Sequence, residues 1–118
     1  MDKAELKRRT KYFALRAIKL VQALPKNPVG FVIGKQLLRS ATSVAANYRA
    51  ACRARSKIEF VAKLGIVVEE ADESAFWLEL IIESNLMKPR LVEPLLKEAN
   101  EITAIMFSTR NTASKNKS

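Results

Sequence analysis

Apolar residues recur along this chain at steps of three and four, the spacing that places them on one face of an α-helix. Leu6, Phe13, Ala17, Leu20 and Leu24 form the first such stripe, which stops at "LPKNPVG", where two prolines interrupt helical hydrogen bonding. The spacing predicts a helix over residues 2–24. Ile33, Leu37, Ala41, Val44, Tyr48 and Ala51 alternate steps of four and three and predict a second helix over 29–53, patterned like a bundle seam. Ser56 followed by Glu59 is a capping-box pair, with the hydroxyl expected on the amide of Glu59 and the carboxylate on the amide of Ser56. A third helix therefore starts at Lys57 and runs to residue 85 on Phe60, Leu64, Val67, Ala71, Ala75, Leu78 and Ile82. Leu91, Leu95, Ala99, Ile102 and Met106 line a fourth, over 90–108, with Pro89 or Pro94 in its first turn. Residues 111–118, "NTASKNKS", have no apolar side chain larger than Ala and are expected to form a disordered basic tail.

Short connections can only return each helix antiparallel to the one before. The expected fold is an all-α, up-down-up-down four-helix bundle over residues 1–110. Composition agrees: 118 residues suffice for one core, and three Gly and four Pro are too few for a turn-rich β protein. No apolar run approaches the roughly 20 residues of a membrane span, and the charged N-terminus lacks a signal-peptide core. A cytoplasmic protein with no membrane partner is the expectation.

The chain has no histidine and a single cysteine, Cys52, which reads as a small buried hydrophobe. Zinc sites of the Cys/His kind and nucleophile–histidine catalysis are thereby excluded. A dimetal carboxylate site in a bundle core needs Glu-x-x-His motifs that are absent here, and Glu69, Glu70, Asp72 and Glu73 spread around their helix instead of converging. The expectation is a non-enzyme with no metal and no cofactor.

Charge is the unusual feature. The net charge is +9, yet residues 25–56 carry six basic residues and no acid, whereas 57–85 carry two against seven acids. At 100° per residue Lys35, Arg39, Arg49 and Arg53 fall on one stripe of the second helix, away from its seam. Arg55 follows, and Arg8, Arg9 and Arg16 lie mostly off the core face of the first helix, as do Lys7, Lys11 and Lys19. Such a surface is self-repelling unless a polyanion neutralises it, so Arg8, Arg9, Arg16, Lys35, Arg39, Arg49, Arg53 and Arg55 are the eight candidate nucleic-acid contacts. A solvated charged face, paired with the acids of the third helix, accounts for the same pattern and stays open. No base-reading motif is present, so binding would be largely blind to sequence. Between stripe and seam runs an uncharged strip, Ser40, Ser43 and Asn47, read as packing more than as ligand contacts.

On the third helix Ile66, Trp77 and Leu80, with Phe76 beside them, fall opposite the core stripe among Glu69 and Glu73. Exposed aromatic and aliphatic residues there predict an oligomer interface, unless the fourth helix covers them.

These segments also carry a likeness. "QLLRSATSVAANYRA", "RSKIEF" and "EEADESAFWLEL" resemble the four-helix-bundle family of proteins encoded within intervening sequences of bacterial 23S ribosomal RNA genes. Gln36-Leu37, Arg39-Ser40, Ser43, Ala46-Asn47, Arg55-Ser56 and Glu59-Phe60 match its pattern. Where many members read Asn-Ile-Ala-Glu-Gly this chain has Asn47-Tyr48-Arg49-Ala50-Ala51, losing an acid and gaining an arginine. The resemblance implies a ring-shaped homopentamer and a fold like that of the accessory variability proteins of diversity-generating retroelements. Through them it implies RNA binding or a role beside a reverse transcriptase. The alternative function is a protein–protein interaction scaffold with no nucleic-acid role.

Overall fold

The computed structural model describes residues 1–116, which form α1 (Lys3–Gln22), α2 (Pro28–Cys52), α3 (Lys57–Glu83) and α4 (Pro89–Lys115), with no strand among them. Three helices begin on a side-chain cap that satisfies an otherwise orphaned amide. Asp2 Oδ1 accepts the Glu5 amide at 2.8 Å, Asn27 Oδ1 accepts that of Gly30 at 2.8 Å, and Ser56 Oγ accepts that of Glu59 at 3.1 Å. The capping box is completed one residue earlier than expected, because the Glu59 carboxylate accepts the amide of Arg55 at 3.4 Å and not that of Ser56. α3 closes with a Schellman motif. Asn85 takes a left-handed conformation (φ 59°), its amide reaches the Ile82 carbonyl at 3.1 Å and the Leu86 amide reaches that of Ile81 at 3.1 Å.

The expected core stripes of α1 and α2 are all buried. On α3, Ile81 is buried in place of Ile82, and Phe60 is half-buried under the Lys3 ammonium, 5.0 Å above its ring. On α4 the stripe starts at Val92, and Leu91 is exposed. The helix begins at Pro89, and Pro94 lies inside it on the solvent side. There its missing N–H leaves only the exposed Arg90 carbonyl unpaired by the helix. Phe13, Leu37, Leu64, Leu78, Ile102 and Met106 are fully buried, so every helix contributes to the core. Each such side chain contributes about 1.5–3 kcal/mol relative to exposure.

The tail is a correction. α4 continues to Lys115, so residues 111–115 are helical, and residues 117–118 lie outside the described residues. The sequence there lacks large apolar side chains, but α3 extends equally far and supplies a partner. Arg110 lies against Gly65, where a Cβ would sit 3.2 Å from its Nε, and donates from Nε to the Val61 carbonyl at 3.3 Å.

The bundle measures 50 × 20 × 19 Å. α2 packs between α1 and α3, and α3 between α2 and α4, while α1 and α4 meet over a much smaller area. α2 is thus one corner of a square, with α1 and α3 receding on either side. Small residues set the α2/α3 approach. The buried hydroxyls of Ser40 and Ser74 lie 2.9 Å apart, with the Leu37 and Glu70 carbonyls in reach to accept the remaining proton. Asn47 Nδ2 donates back to Ser43, at 2.8 Å to Oγ and 3.0 Å to the carbonyl. The uncharged polar strip is accordingly spent on helix packing and on bonds within α2. At the α1–α2 turn Gly30 is obligatory, since an added Cβ would lie 2.1 Å from the Pro25 carbonyl oxygen.

Candidate nucleic-acid interface

The eight candidate cations do not share one fate. Arg39 is consumed within the chain: Nη1 lies 3.0 Å from Glu70 Oε2, Nη2 pairs with Glu73, and Glu73 Oε2 also accepts the Trp77 indole N–H at 3.1 Å. Hydrogen bonds from Glu70 and Glu73 push the Arg39 guanidinium above its ordinary range. Arg9 is consumed as well. It forms a bidentate pair across the thin α1/α4 seam, Nε to Glu98 Oε2 at 2.8 Å and Nη2 to Oε1 at 2.7 Å, with Glu101 at 3.6 Å. The hydrogen bond from Arg9 holds the Glu98 carboxyl below the usual range against the opposing effect of its own burial. Arg16 stands over the Tyr12 ring at 5.8 Å and borders a separate groove of about 320 Å³ between α1 and α4. Lys35 is exposed further along α2.

The remaining four converge. Arg8, Arg49 and Arg53 line a groove of about 550 Å³ between α1 and the C-terminal half of α2, together with Lys7 and Lys11 and a floor of Thr42, Ala45 and Ala46. Arg55 borders a second hollow of about 500 Å³ on the α3 side of α2, with Lys63, Glu59 and the same Arg49 and Arg53. None of Lys7, Arg8, Lys11, Arg49 and Arg53 pairs with a carboxylate among the described residues, where all ion pairs belong to Arg9 and Arg39. Arg8 does attract the Asp2 carboxylate, whose titration is lowered first by its hydrogen bond from the Glu5 amide. Five like charges around one concave strip create a field suited to phosphate. Lys7, Lys11 and Lys63 complete the site although they were not among the expected contacts. The four-residue spacing of Lys7 and Lys11 beside Arg8 was the available signal for two of them.

The expected interface residues also divide. Ile66 (38 % exposed), Phe76 (49 %) and Glu69 face outward on α3. Trp77 and Leu80 instead pack against the chain's own core, and Glu73 is engaged by Arg39. Phe76 meets the edge of Trp77 with ring centroids 5.0 Å apart. Periodicity placed Trp77 outside because it sits at the α2/α3 boundary, where one step around the helix separates solvent from seam. Ile58, 83 % exposed, extends the outward face toward the start of α3.

The four-helix arrangement has a family counterpart. The sequence profile of the 23S rRNA-intervening sequence proteins matches residues 2–108. The chain belongs to that family. A solved structure from Bacteroides thetaiotaomicron VPI-5482, described as a protein with unknown function from the S23 ribosomal protein family, is 34% identical. It superposes with a TM-score of 0.87, and the match covers 94% of this chain and 99% of that one. The comparison with curated proteins returned no match. For this intervening-sequence family member, no group of three or more His, Cys, Asp and Glu side chains suited to a metal ion occurs among the described residues. No helix among them is long and apolar enough to cross a membrane.

Proposed function

We propose that the protein is a non-catalytic, cytoplasmic nucleic-acid-binding module that holds RNA or DNA by its phosphates along the α1/α2 groove, largely independent of base sequence. The observation that carries this reading is the gathering of Lys7, Arg8, Lys11, Arg49 and Arg53 around one groove without a carboxylate partner among the described residues. The groove floor is Ala45, Ala46 and Thr42, and the Thr42 hydroxyl proton is already donated to the Leu38 carbonyl at 2.8 Å. Binding measured against salt concentration should give a linear log–log plot of slope roughly −4, about −0.9 for each phosphate neutralised. A flat plot removes the reading.

A second proposal concerns assembly. We infer that copies associate through the outward face of α3, around Ile58, Ile66, Glu69 and Phe76, because large apolar side chains stand exposed there beside an acid. The ring of five and the partnership with a reverse transcriptase are narrower forms of this reading that follow the family resemblance. Native mass measurement tests the ring, and Phe76→Asp should dissolve it while leaving helicity unchanged. An intact oligomer that ignores nucleic acid at low salt would favour the protein–protein scaffold instead.

A further inference from the structure

We propose that the ligand of this surface is double-stranded, the Arg49/Arg53 edge of α2 entering a duplex groove while the hollows on its two sides receive the two phosphate backbones. The proposal rests on the nucleic-acid reading above and narrows it. Its basis is that the cationic surface is two-sided. On the α1 side Lys7, Arg8 and Lys11 bound one hollow, on the α3 side Arg55 and Lys63 bound the other, and Ala46, Arg49 and Arg53 belong to both.

The spacing follows from the fold. The hollows are separated by one helix, which with its side chains is about 10–12 Å across. A duplex presents two parallel rails of phosphate at a comparable separation: the major groove of B-DNA, about 12 Å wide, admits an α-helix, and the minor groove of A-form RNA is wide and shallow. α2 is the corner of the bundle, so it projects while α1 and α3 recede to meet the rails. Along the projecting edge the positions beside the arginines are Ala46 and Ala50, which leave nothing bulky to hold the edge away from the groove floor.

A single strand fits this surface poorly. It carries one backbone, would fill one hollow, and would leave the cations of the other facing each other. Sequence-tolerant single-strand binding also relies on aromatic platforms for stacking the bases, and neither hollow has an aromatic lining residue. The nearby exposed Tyr12 is covered in part by Arg16. Glu59 is the one carboxylate bordering either hollow. It sits in the first turn of α3, where the helix dipole and the Arg55 amide offset its charge.

The test uses the full chain, fluorescence anisotropy at ~0.1 M salt, and four probes of one sequence: a 20-base-pair RNA duplex, the DNA duplex, and a single strand of each. Two variants address the hollows separately, Lys7→Glu/Lys11→Glu for the α1 side and Lys63→Glu for the α3 side, with circular dichroism confirming that both keep their helices. At least one duplex should bind about tenfold tighter than either single strand, and each variant should weaken that duplex by roughly five- to tenfold or more. Preference for the RNA duplex assigns an A-form groove and preference for the DNA duplex a B-form one, and either supports the proposal. Single strands bound as tightly as duplexes, or a Lys63→Glu variant that binds duplex normally, would overturn the two-rail geometry and leave phosphate binding standing. Absence of binding to all four probes would overturn both.

Discussion

Arg39 and the pair Arg49/Arg53 lie on the same stripe of the same helix, yet one is neutralised by its own chain and the others are not. The difference lies in what antiparallel packing places opposite. α3 runs back along α2 so that Ser74 meets Ser40, which brings Glu70 and Glu73 to Arg39. Toward the other end of α2 the facing stretch of α3, Phe60 to Val68, contains no acid and one lysine. α1, on the other flank, adds Lys7, Arg8 and Lys11. A charged stripe in sequence is therefore not a surface: register decides which part becomes structure and which part stays available to a ligand.

The sharpest way to break this comparison is to reverse charge in each half. Arg49→Glu/Arg53→Glu should weaken nucleic-acid binding by roughly a hundredfold at ~0.1 M salt, since each lost phosphate contact costs close to tenfold there. Arg39→Glu should leave binding within about twofold, because that guanidinium is already engaged, and should instead lower the thermal midpoint by opposing Glu70 and Glu73. Equal losses from both variants would mean that the two halves form one surface.

How much of this was legible in the sequence follows the same division. The start of α3 was legible because its cause is local: the Ser56 cap is complete within three residues. Asp2 and Asn27 cap α1 and α2 over the same short distance, but apolar periodicity, which set those two starts, does not register them. Core stripes were legible to within a residue, the misses being Leu91 for Val92, Ile82 for Ile81 and the half-buried Phe60, all near helix ends where one residue of phase changes the face. The length of α4 was not legible, because its last turns are held by Arg110 reaching α3 and not by their own apolar residues. Nor could the arginines be sorted. Arg8 and Arg9 are neighbours, but Arg8 turns to the groove and Arg9 to Glu98, and a helical wheel of α1 does not say where α4 will place a carboxylate.

The register itself can be disturbed at its closest point. Ser40 and Ser74 are both buried, and Ser40→Leu would force two extra heavy atoms plus an apolar surface against the Ser74 hydroxyl. A loss of about 1–3 kcal/mol in denaturant unfolding is expected. The wedge should also separate Arg39 from its acids, so Trp77, bonded to Glu73, should report the shift in its fluorescence. A stable variant with unchanged Trp77 emission would show that the serine pair does not hold the register.

A smaller effect sharpens the contrast from the opposite side. Glu70→Gln/Glu73→Gln keeps hydrogen-bond acceptors for Arg39 and Trp77 but removes both negative charges. Arg39 lies about 15 Å along α2 from Arg49 at 1.5 Å per residue, within the length of a bound polyanion. Releasing it should steepen the salt plot by about one contact and raise affinity by up to roughly eightfold at ~0.1 M salt. No change would place Arg39 off the ligand's path, whatever its charge state.

The smallest effect concerns the neighbours Arg8 and Arg9. Glu98 titrates below its ordinary range because Arg9 hydrogen-bonds its charged form, so the pair stabilises the fold where Glu98 is ionised in both folded and unfolded chains. That contribution is fully present above the ordinary Glu range and is lost as pH falls through it toward the lowered folded value. At neutral pH Glu98→Gln should cost about 1 kcal/mol, the figure being kept low because Arg9 is partly solvated. The gap between parent and variant should then close on acidification. A gap that persists into acid would assign the α1/α4 seam to side-chain packing instead of charge. In either case nucleic-acid binding at neutral pH should be unaffected, because Glu98 faces α1 from α4 and borders neither cationic hollow.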